Sequence, residues 1–316
     1  MDIPFISDHT LHDLTDFPLL IEGLKKAFSD PAFQIPLRTH HNLSDSDTML
    51  LMPAWKKDTA IGVKLVNVFP GNTKKGLTSI NGLYIHFNGQ TGKPECLIDA
   101  KGLTNKRTAA TSALASSFLS RPDASSMLLL GTGALAADMI RAHASIRKLK
   151  TIYAWGRNLQ KAEVLASHLK KEGYPVIAVE DKDTIIPQVD IISTATMSSQ
   201  PIIDGTLVRS GSHIDLVGSY KPDMREADDY LMEHSKLFVD TIEGATKESG
   251  DLVIPLKNGI IDLSDIKGEL VTLCNGSVKG RSNSSEITVF KSVGYALEDL
   301  VAGSFYLSRF QSENAP

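Results

Sequence analysis

The chain is short of the features that announce several classes of protein. Of its 316 residues only two are cysteines, Cys96 and Cys274, far apart in sequence. Without a CxxC pair or a His/Cys cluster, no structural zinc site is expected and no metal is assigned. Without a framework of paired cysteines, a reducing compartment fits best. No apolar run approaches the roughly 20 residues that cross a bilayer. Met1-Asp2-Ile3-Pro4 has no basic region followed by an apolar core, so no signal peptide is expected. A soluble cytoplasmic protein without a membrane partner is the expectation. Excess charge of one sign is missing too: 33 Lys and Arg stand against 37 Asp and Glu, a net −4. That balance gives no reason to expect nucleic acid as a partner. The histidines form no HxxxH pair, and there is no GxSxG elbow or Cys/His arrangement that commits to covalent catalysis. Internal repeats and low-complexity tracts are absent as well.

What is present is an ordinary globular composition, 42% hydrophobic and 22% charged, enough to bury a core in one large or two ordinary domains. Leu20, Ile21, Leu24 and Phe28 fall at helical spacing, ended by Asp30-Pro31. From Met49 to Ala100 short β-like stretches are separated by turn signals such as Pro70-Gly71-Asn72 and Asn88-Gly89, which predicts an antiparallel sheet. Thr104–Leu119 reads as a helix rich in Ala and Ser. The texture changes at Ser120-Arg121-Pro122-Asp123. Beyond it, apolar strands at 126–130, 151–155, 176–179, 191–193, 213–216 and 237–239 alternate with helical stretches such as 135–146 and 159–171. Alternation of that kind implies a parallel sheet covered on both faces. A last helix is expected around Ile287–Leu307, returning to the first domain. The predicted organisation is α/β: residues 1–122 and 294–316 form a discontinuous α+β substrate-binding domain, and 123–293 a Rossmann dinucleotide-binding domain.

The sharpest motif is Gly131-Thr132-Gly133-Ala134-Leu135-Ala136, a GxGxxA turn after the apolar strand Met127–Leu130 and before a helix. The first glycine allows the tight turn, the second lets backbone approach a pyrophosphate, and Ala136 packs helix against strand. The helix start offers N–H groups and a partial positive charge to the phosphates. The next strand runs into Gly156-Arg157-Asn158 with no acid to bond a ribose 2′-hydroxyl. Arg157, with Lys161 four residues on, suits a 2′-phosphate instead. NADPH is the expected cofactor, with NADH the alternative; the bland reading makes both cations ordinary solvated residues. Thr194-Ala195-Thr196 and Gly218-Ser219-Tyr220 stand where a Rossmann sheet presents strand ends to the cofactor. Small residues at Gly218 would let a nicotinamide lie against backbone, unless this is a plain turn.

Three basic residues in the first domain sit in apolar or turn settings: Arg38, Lys64 within Ile61–Val66, and Arg107 at a helix. Burying an unpaired ammonium is costly, so an interior Lys64 needs an anionic partner, and a substrate carboxylate would serve. The alternative is an edge-strand lysine reaching water. Two guanidinium forks and an ammonium would clamp a carboxylate. His40 and His41 lie close enough to Arg38 in sequence for one to reach the same site.

Several motifs in order carry a resemblance along most of the chain: Pro36-Leu37-Arg38, Gly62-Val63-Lys64 with Phe69-Pro70-Gly71-Asn72, Thr104 with Arg107-Thr108-Ala109-Ala110, and Gly131-Thr132-Gly133. Val239-Asp240, Glu243-Gly244-Ala245, Glu248-Ser249-Gly250-Asp251 and Ile287–Gly294 continue it. The chain resembles the ornithine cyclodeaminase/mu-crystallin family. The resemblance implies a discontinuous first domain that makes a homodimer, a Rossmann domain for the cofactor, and Arg38, Lys64 and Arg107 around the substrate carboxylate. Ornithine cyclodeaminases carry an aspartate in the loop corresponding to Gly218–Pro222, where this chain has Tyr220. A phenol is neutral at pH 7 and cannot replace that carboxylate. The segment Ser219–Glu226 is more similar to the ketimine reductase branch. The expected reaction is therefore NAD(P)H-dependent reduction of a small cyclic imine carboxylate, chiefly Δ1-pyrroline-2-carboxylate to L-proline and also Δ1-piperideine-2-carboxylate to L-pipecolate. Lys64 would touch the imine or deliver a proton. Alternatives are an amino-acid dehydrogenase on an open-chain 2-oxo acid and an NADPH-dependent binding protein without turnover.

Overall fold

A computed structural model describes residues 3–314. Met1 and Asp2 of the amino-terminal stretch read above, and residues 315 and 316, lie outside the described residues. The chain forms two compact units, residues 1–107 with 295–316 and residues 108–294.

The first unit opens with β1 (Phe5–Ile6), α1 (Asp8–Leu14) and α2 (Phe17–Phe28). Asp16 caps α2 by accepting from Leu19 N, and Phe17, Leu20, Ile21, Leu24 and Phe28 form its buried stripe. Strands β2 (Phe33–Gln34), β3 (Thr39–Asn42), β4 (Thr48–Lys56), β5 (Ala60–Val68), β6 (Ile80–Asn88) and β7 (Pro94–Asp99) follow. The sheet order is β1-β7-β6-β5-β4-β2, with β3 also on β4; every pair is antiparallel except β1 with β7. Helix α3 (Ala100–Leu119) then leaves this unit at Arg107 and continues in the second. The break in texture at 120–123 thus marks the end of α3, whereas the compact units part inside it.

The second unit holds β8 (Ser126–Leu130), α4 (Ala136–Ile146), β9 (Thr151–Trp155), α5 (Leu159–Lys171), β10 (Val176–Val179), β11 (Ile191–Thr194) and β12 (His213–Leu216). It continues with α6 (Asp229–Glu233), β13 (Lys236–Val239), α7 (Ile242–Glu248), α8 (Gly250–Lys257), β14 (Ile266–Glu269), α9 (Leu270–Cys274) and β15 (Thr288–Lys291). All eight strands are parallel, in the order β10-β9-β8-β11-β12-β15-β13-β14. The chain winds outward from β8 in both directions, so the order reverses between β8 and β11. Crevices for ligands form at that point, beyond the carboxyl ends of the strands.

The chain then returns to the first unit with α10 (Ala296–Glu313). The stretch from Ile287 that the sequence suggested would be helical begins instead with the strand Thr288–Lys291. Ile287, Thr288 and Val289 are β-branched, β15 is buried at all four positions, and Gly294 turns the chain at φ +86° before the helix begins. A fully buried strand shows no period-two alternation, so its sequence resembles a buried helix segment.

Candidate active site

In the first unit the register of the antiparallel sheet aligns Met52, Lys64, Tyr84 and Ile98 across four strands on one face. These positions are buried; Met52 and Leu300 share a core cluster there, so the face is covered by α10. Lys64 is therefore interior, 2% exposed. Its anion is supplied by the protein and not, as the sequence suggested, by a ligand alone. Lys64 Nζ donates to Asp299 Oδ1 at 2.8 Å, lies 2.7 Å from Oδ2, and reaches Thr104 Oγ1 at 3.4 Å. Arg107, on α3, donates from Nε to Asp299 Oδ1 at 3.0 Å and from Nη1 to Glu298 Oε2 at 2.6 Å. Glu298 and Asp299 are both fully buried in the first turn of α10. Two cations and two carboxylates share one dry cluster, and a carboxylate group at a helix start is also favoured by the helix dipole.

The cluster bends the titration of its members. Burial pushes the Lys64 ammonium down to about 8, against the raising effect of Asp299, while the charges of Arg107 and Arg38 add to the fall. Burial alone would raise the Asp299 carboxyl, but the charges of Lys64 and Arg107 hold it below its ordinary value. Arg107 stays charged because Asp299 and Glu298 outweigh its desolvation. Arg38 is half-buried before β3 and near enough for its charge to act on Lys64. Two of the three sequence-chosen cations are thus held together, and the third acts on Lys64 through space. His40 and His41 occupy the exposed strand β3, opposite Leu50 and Met49, and the charge of Arg38 reaches His40.

The second unit presents its loops at the strand ends. Gly131 adopts φ +126°, and a Cβ there would stand 2.6 Å from Ala195 O, so only glycine fits. Around Gly133 a Cβ would meet nothing within 4 Å, which leaves an open cradle. Leu135 precedes α4 without a side-chain cap; Ala136 N donates to Gly133 O at 3.1 Å, and no capping side chain competes with an anion at this helix start. Thr132 packs on Gly156, where a Cβ would lie 2.8 Å from Thr132 Cγ2. These features fit a dinucleotide pyrophosphate. Arg157 and Lys161 are exposed beyond β9, and Asn158 caps α5 by accepting from Lys161 N at 3.3 Å. Thr194 closes β11, Ala195 and Thr196 follow it, and Gly218 stands beyond β12. Gly218 has a reason the sequence did not show: a Cβ would fall 1.8 Å from Thr196 O, so the two loops touch backbone to backbone.

Glu298 and Asp299 escaped the sequence reading. The signal was present as two adjacent acids inside the apolar run Ala296–Ala302, the complement of a lysine inside an apolar strand.

A doubly wound parallel sheet with a glycine turn at its switch point, joined to an α+β unit that buries a cluster of cations and carboxylates, defines a dinucleotide-binding α/β protein. The chain belongs to the ornithine cyclodeaminase/mu-crystallin family, whose sequence model matches residues 7–314. It is 37% identical to a Delta(1)-pyrroline-2-carboxylate reductase of Colwellia psychrerythraea, over 94% of this chain and 96% of that one. A reductase of the same name from Paracoccus denitrificans is 36% identical over 90% of each chain. Among solved structures, the Thermococcus litoralis Delta(1)-pyrroline-2-carboxylate reductase in complex with NADH and L-proline superposes with a TM-score of 0.93, 33% identity and 98% coverage of both chains.

Proposed function

We propose that the protein reduces cyclic ketimine carboxylates with a nicotinamide dinucleotide, chiefly Δ1-pyrroline-2-carboxylate to L-proline, with Δ1-piperideine-2-carboxylate to L-pipecolate as a second reaction. The observation that carries this reading is a likeness running through both units to a reductase solved with NADH and L-proline. Reduced nicotinamide, when bound, supplies a hydride to C2 of the ring. The chain's own residues do the rest. Arg38, Lys64 and Arg107 take the substrate carboxylate. Glu298 and Asp299 cancel two of those three charges, so the group as a whole suits one carboxylate and no more. As C2 gains hydrogen, the C=N π pair moves to nitrogen, which must hold a proton. An ammonium whose pKa lies near 8 gives up a proton close to neutral pH, and this suits Lys64 to the task.

Arg157 and Lys161, with no acid beside them, favour NADPH over NADH. A homodimer is supported by the other face of the first-unit sheet. There Leu51, Trp55, Val63, Leu65, Leu83 and Ile85 are apolar and only half-buried in the single chain, while the opposite face is covered by α10. A sheet apolar on both faces needs cover on both. We place the protein in the cytoplasm; among the described residues no helix is long and apolar enough to cross a membrane.

The test is NADPH oxidation measured with both cyclic imines and with pyruvate plus ammonium. Fastest turnover is expected with the five-membered imine. Each of Lys64→Met and Arg107→Met should lower kcat/KM about 10- to 100-fold, the value of one charge-assisted bond. Turnover confined to pyruvate plus ammonium, or NADPH binding without any turnover, overturns the assignment.

A further inference from the structure

The second unit buries a carboxylate that the reaction does not use. Glu226 is fully buried, and its side chain accepts four hydrogen bonds from two separate loops. Oε1 takes Thr196 N at 2.8 Å and Thr196 Oγ1 at 2.7 Å. Oε2 takes Gly218 N at 2.7 Å and Ser219 N at 3.3 Å. The two loops follow β11 and β12, adjacent parallel strands in which Thr194 pairs with Leu216. Thr194 also pairs with Leu130, immediately before the glycine turn. All three loops therefore leave the sheet at the carboxyl ends of neighbouring strands.

Glu226 is itself anchored. Asp251 Oδ1 accepts from Glu226 N at 2.6 Å and from Ala227 N at 3.1 Å, and Asp251 Oδ2 lies 3.3 Å from Lys291 Nζ. Glu226 O accepts from Ile202 N and Ile203 N at 2.9 and 3.0 Å. Ser219 Oγ bonds Met224 O at 2.5 Å and Ser249 Oγ at 2.9 Å. Apolar residues would join two loops without the cost of burying charge. A carboxylate instead fixes the direction of three backbone N–H groups to within a hydrogen bond's tolerance.

We propose that Glu226 is a positioning residue for the nicotinamide half of the dinucleotide. It locks the loops at Thr196 and Gly218–Ser219 into the surface on which the nicotinamide ring rests, while the adenosine half depends on Gly131, Gly133 and Arg157 and not on Glu226. The proposal rests on the dinucleotide reading of this unit. In any Rossmann sheet the pyrophosphate sits at the glycine turn and the two nucleoside halves extend to opposite sides of the switch point. β9 with Arg157 lies on one side, and β11 with β12 on the other.

The experiment compares binding of NADPH with binding of adenosine 2′,5′-bisphosphate, the adenosine fragment alone, by calorimetry in wild-type protein and in Glu226→Gln. Glutamine keeps the shape but offers one acceptor oxygen and points two N–H bonds at existing donors. We expect the Kd for NADPH to rise at least tenfold and that for the bisphosphate to change less than twofold. The deuterium isotope effect with 4-deuterated NADPH on imine reduction should also increase, because a misplaced ring slows hydride transfer itself. A purely structural role predicts a lower Tm with both ligands weakened alike, and that result overturns the proposal. Unchanged NADPH affinity and isotope effect in folded Glu226→Gln overturn it as well. If that variant does not fold, Thr196→Val removes one of the four bonds. It should weaken NADPH two- to fivefold with the bisphosphate unaffected, and an unchanged NADPH affinity there is equally fatal. Wild-type protein that binds neither nucleotide overturns both the dinucleotide reading and this one.

Discussion

Replacing Asp299 by asparagine removes the charge that Lys64 and Arg107 share, and the consequences can be worked out for each partner. Lys64 has a pKa near 8 against an ordinary 10.5. At about 1.36 kcal/mol per unit, holding it charged in the fold costs about 3 kcal/mol. That penalty is present in full below pH 8 and disappears as pH rises toward 10.5, because the unfolded chain binds more protons between those values. Holding the amine neutral at pH 7 would cost about 5 kcal/mol by the same arithmetic. Deprotonation therefore caps the further loss through Lys64 at about 1 kcal/mol. Arg107 cannot deprotonate; it keeps Glu298, and its Nε bond passes from a carboxylate to a neutral amide oxygen, which forfeits about 1 kcal/mol of charge assistance. The folded variant should survive with its stability reduced by about 2 kcal/mol, the sum of the two terms. The kinetic effect is sharper. Asp299 raises the Lys64 pKa, so its removal lets burial, Arg107 and Arg38 drive it lower. Each unit below 7 leaves about tenfold less ammonium at neutral pH. The basic limb of kcat/KM for the imine should move from near pH 8 to lower pH, while Tm falls by several degrees. The imine titrates identically in both assays, so the displacement belongs to the enzyme. A folded Asp299→Asn variant whose basic limb stays in place refutes the assignment of Lys64 as proton donor.

Three further outcomes follow from other parts of the chain. Arg157→Asp should reverse the preference between NADPH and NADH, measured as the ratio of kcat/KM values, since an acid repels a 2′-phosphate and accepts a 2′-hydroxyl; a wild-type preference for NADH would show that Arg157 is merely solvated. No ammonia should be released from L-ornithine with catalytic NAD, because Tyr220 offers no carboxylate, and sustained release would remove that argument. Val63→Arg, on the half-buried outer face of the sheet, should give a monomer in sedimentation experiments, because an unpaired charge at an apolar interface costs several kcal/mol; an unchanged assembly would locate the contact on another surface.

What the sequence discloses depends on how local the physics is. Strand β8 and helix α5 are legible to the residue, since a buried parallel strand is an apolar run and a helix on its face is amphipathic. The turn at Gly131–Ala136 is legible because its geometry admits few residue types. Strand β15 is not: it enters the sheet between β12 and β13, out of chain order, and only that placement distinguishes its apolar sequence from a helix. Lys64 shows the same limit in its chemistry. A lysine between Val63 and Leu65 declares that something anionic must be near, but the anion is 235 residues away on α10. The reading that a substrate would supply it left out the carboxylates of the chain itself. Gly218 completes the pattern. Sequence assigns it the role of making room for a nicotinamide, whereas the space a side chain would need is taken by the carbonyl of Thr196. Residues that declare a need are therefore readable in this chain, whereas the partners that meet the need become visible only when distant segments are brought together. The acids at 226, 298 and 299 are all of this second sort: Glu298 and Asp299 stand in an apolar stretch and Glu226 in a charged one, and in each case the role is fixed by donors on other segments.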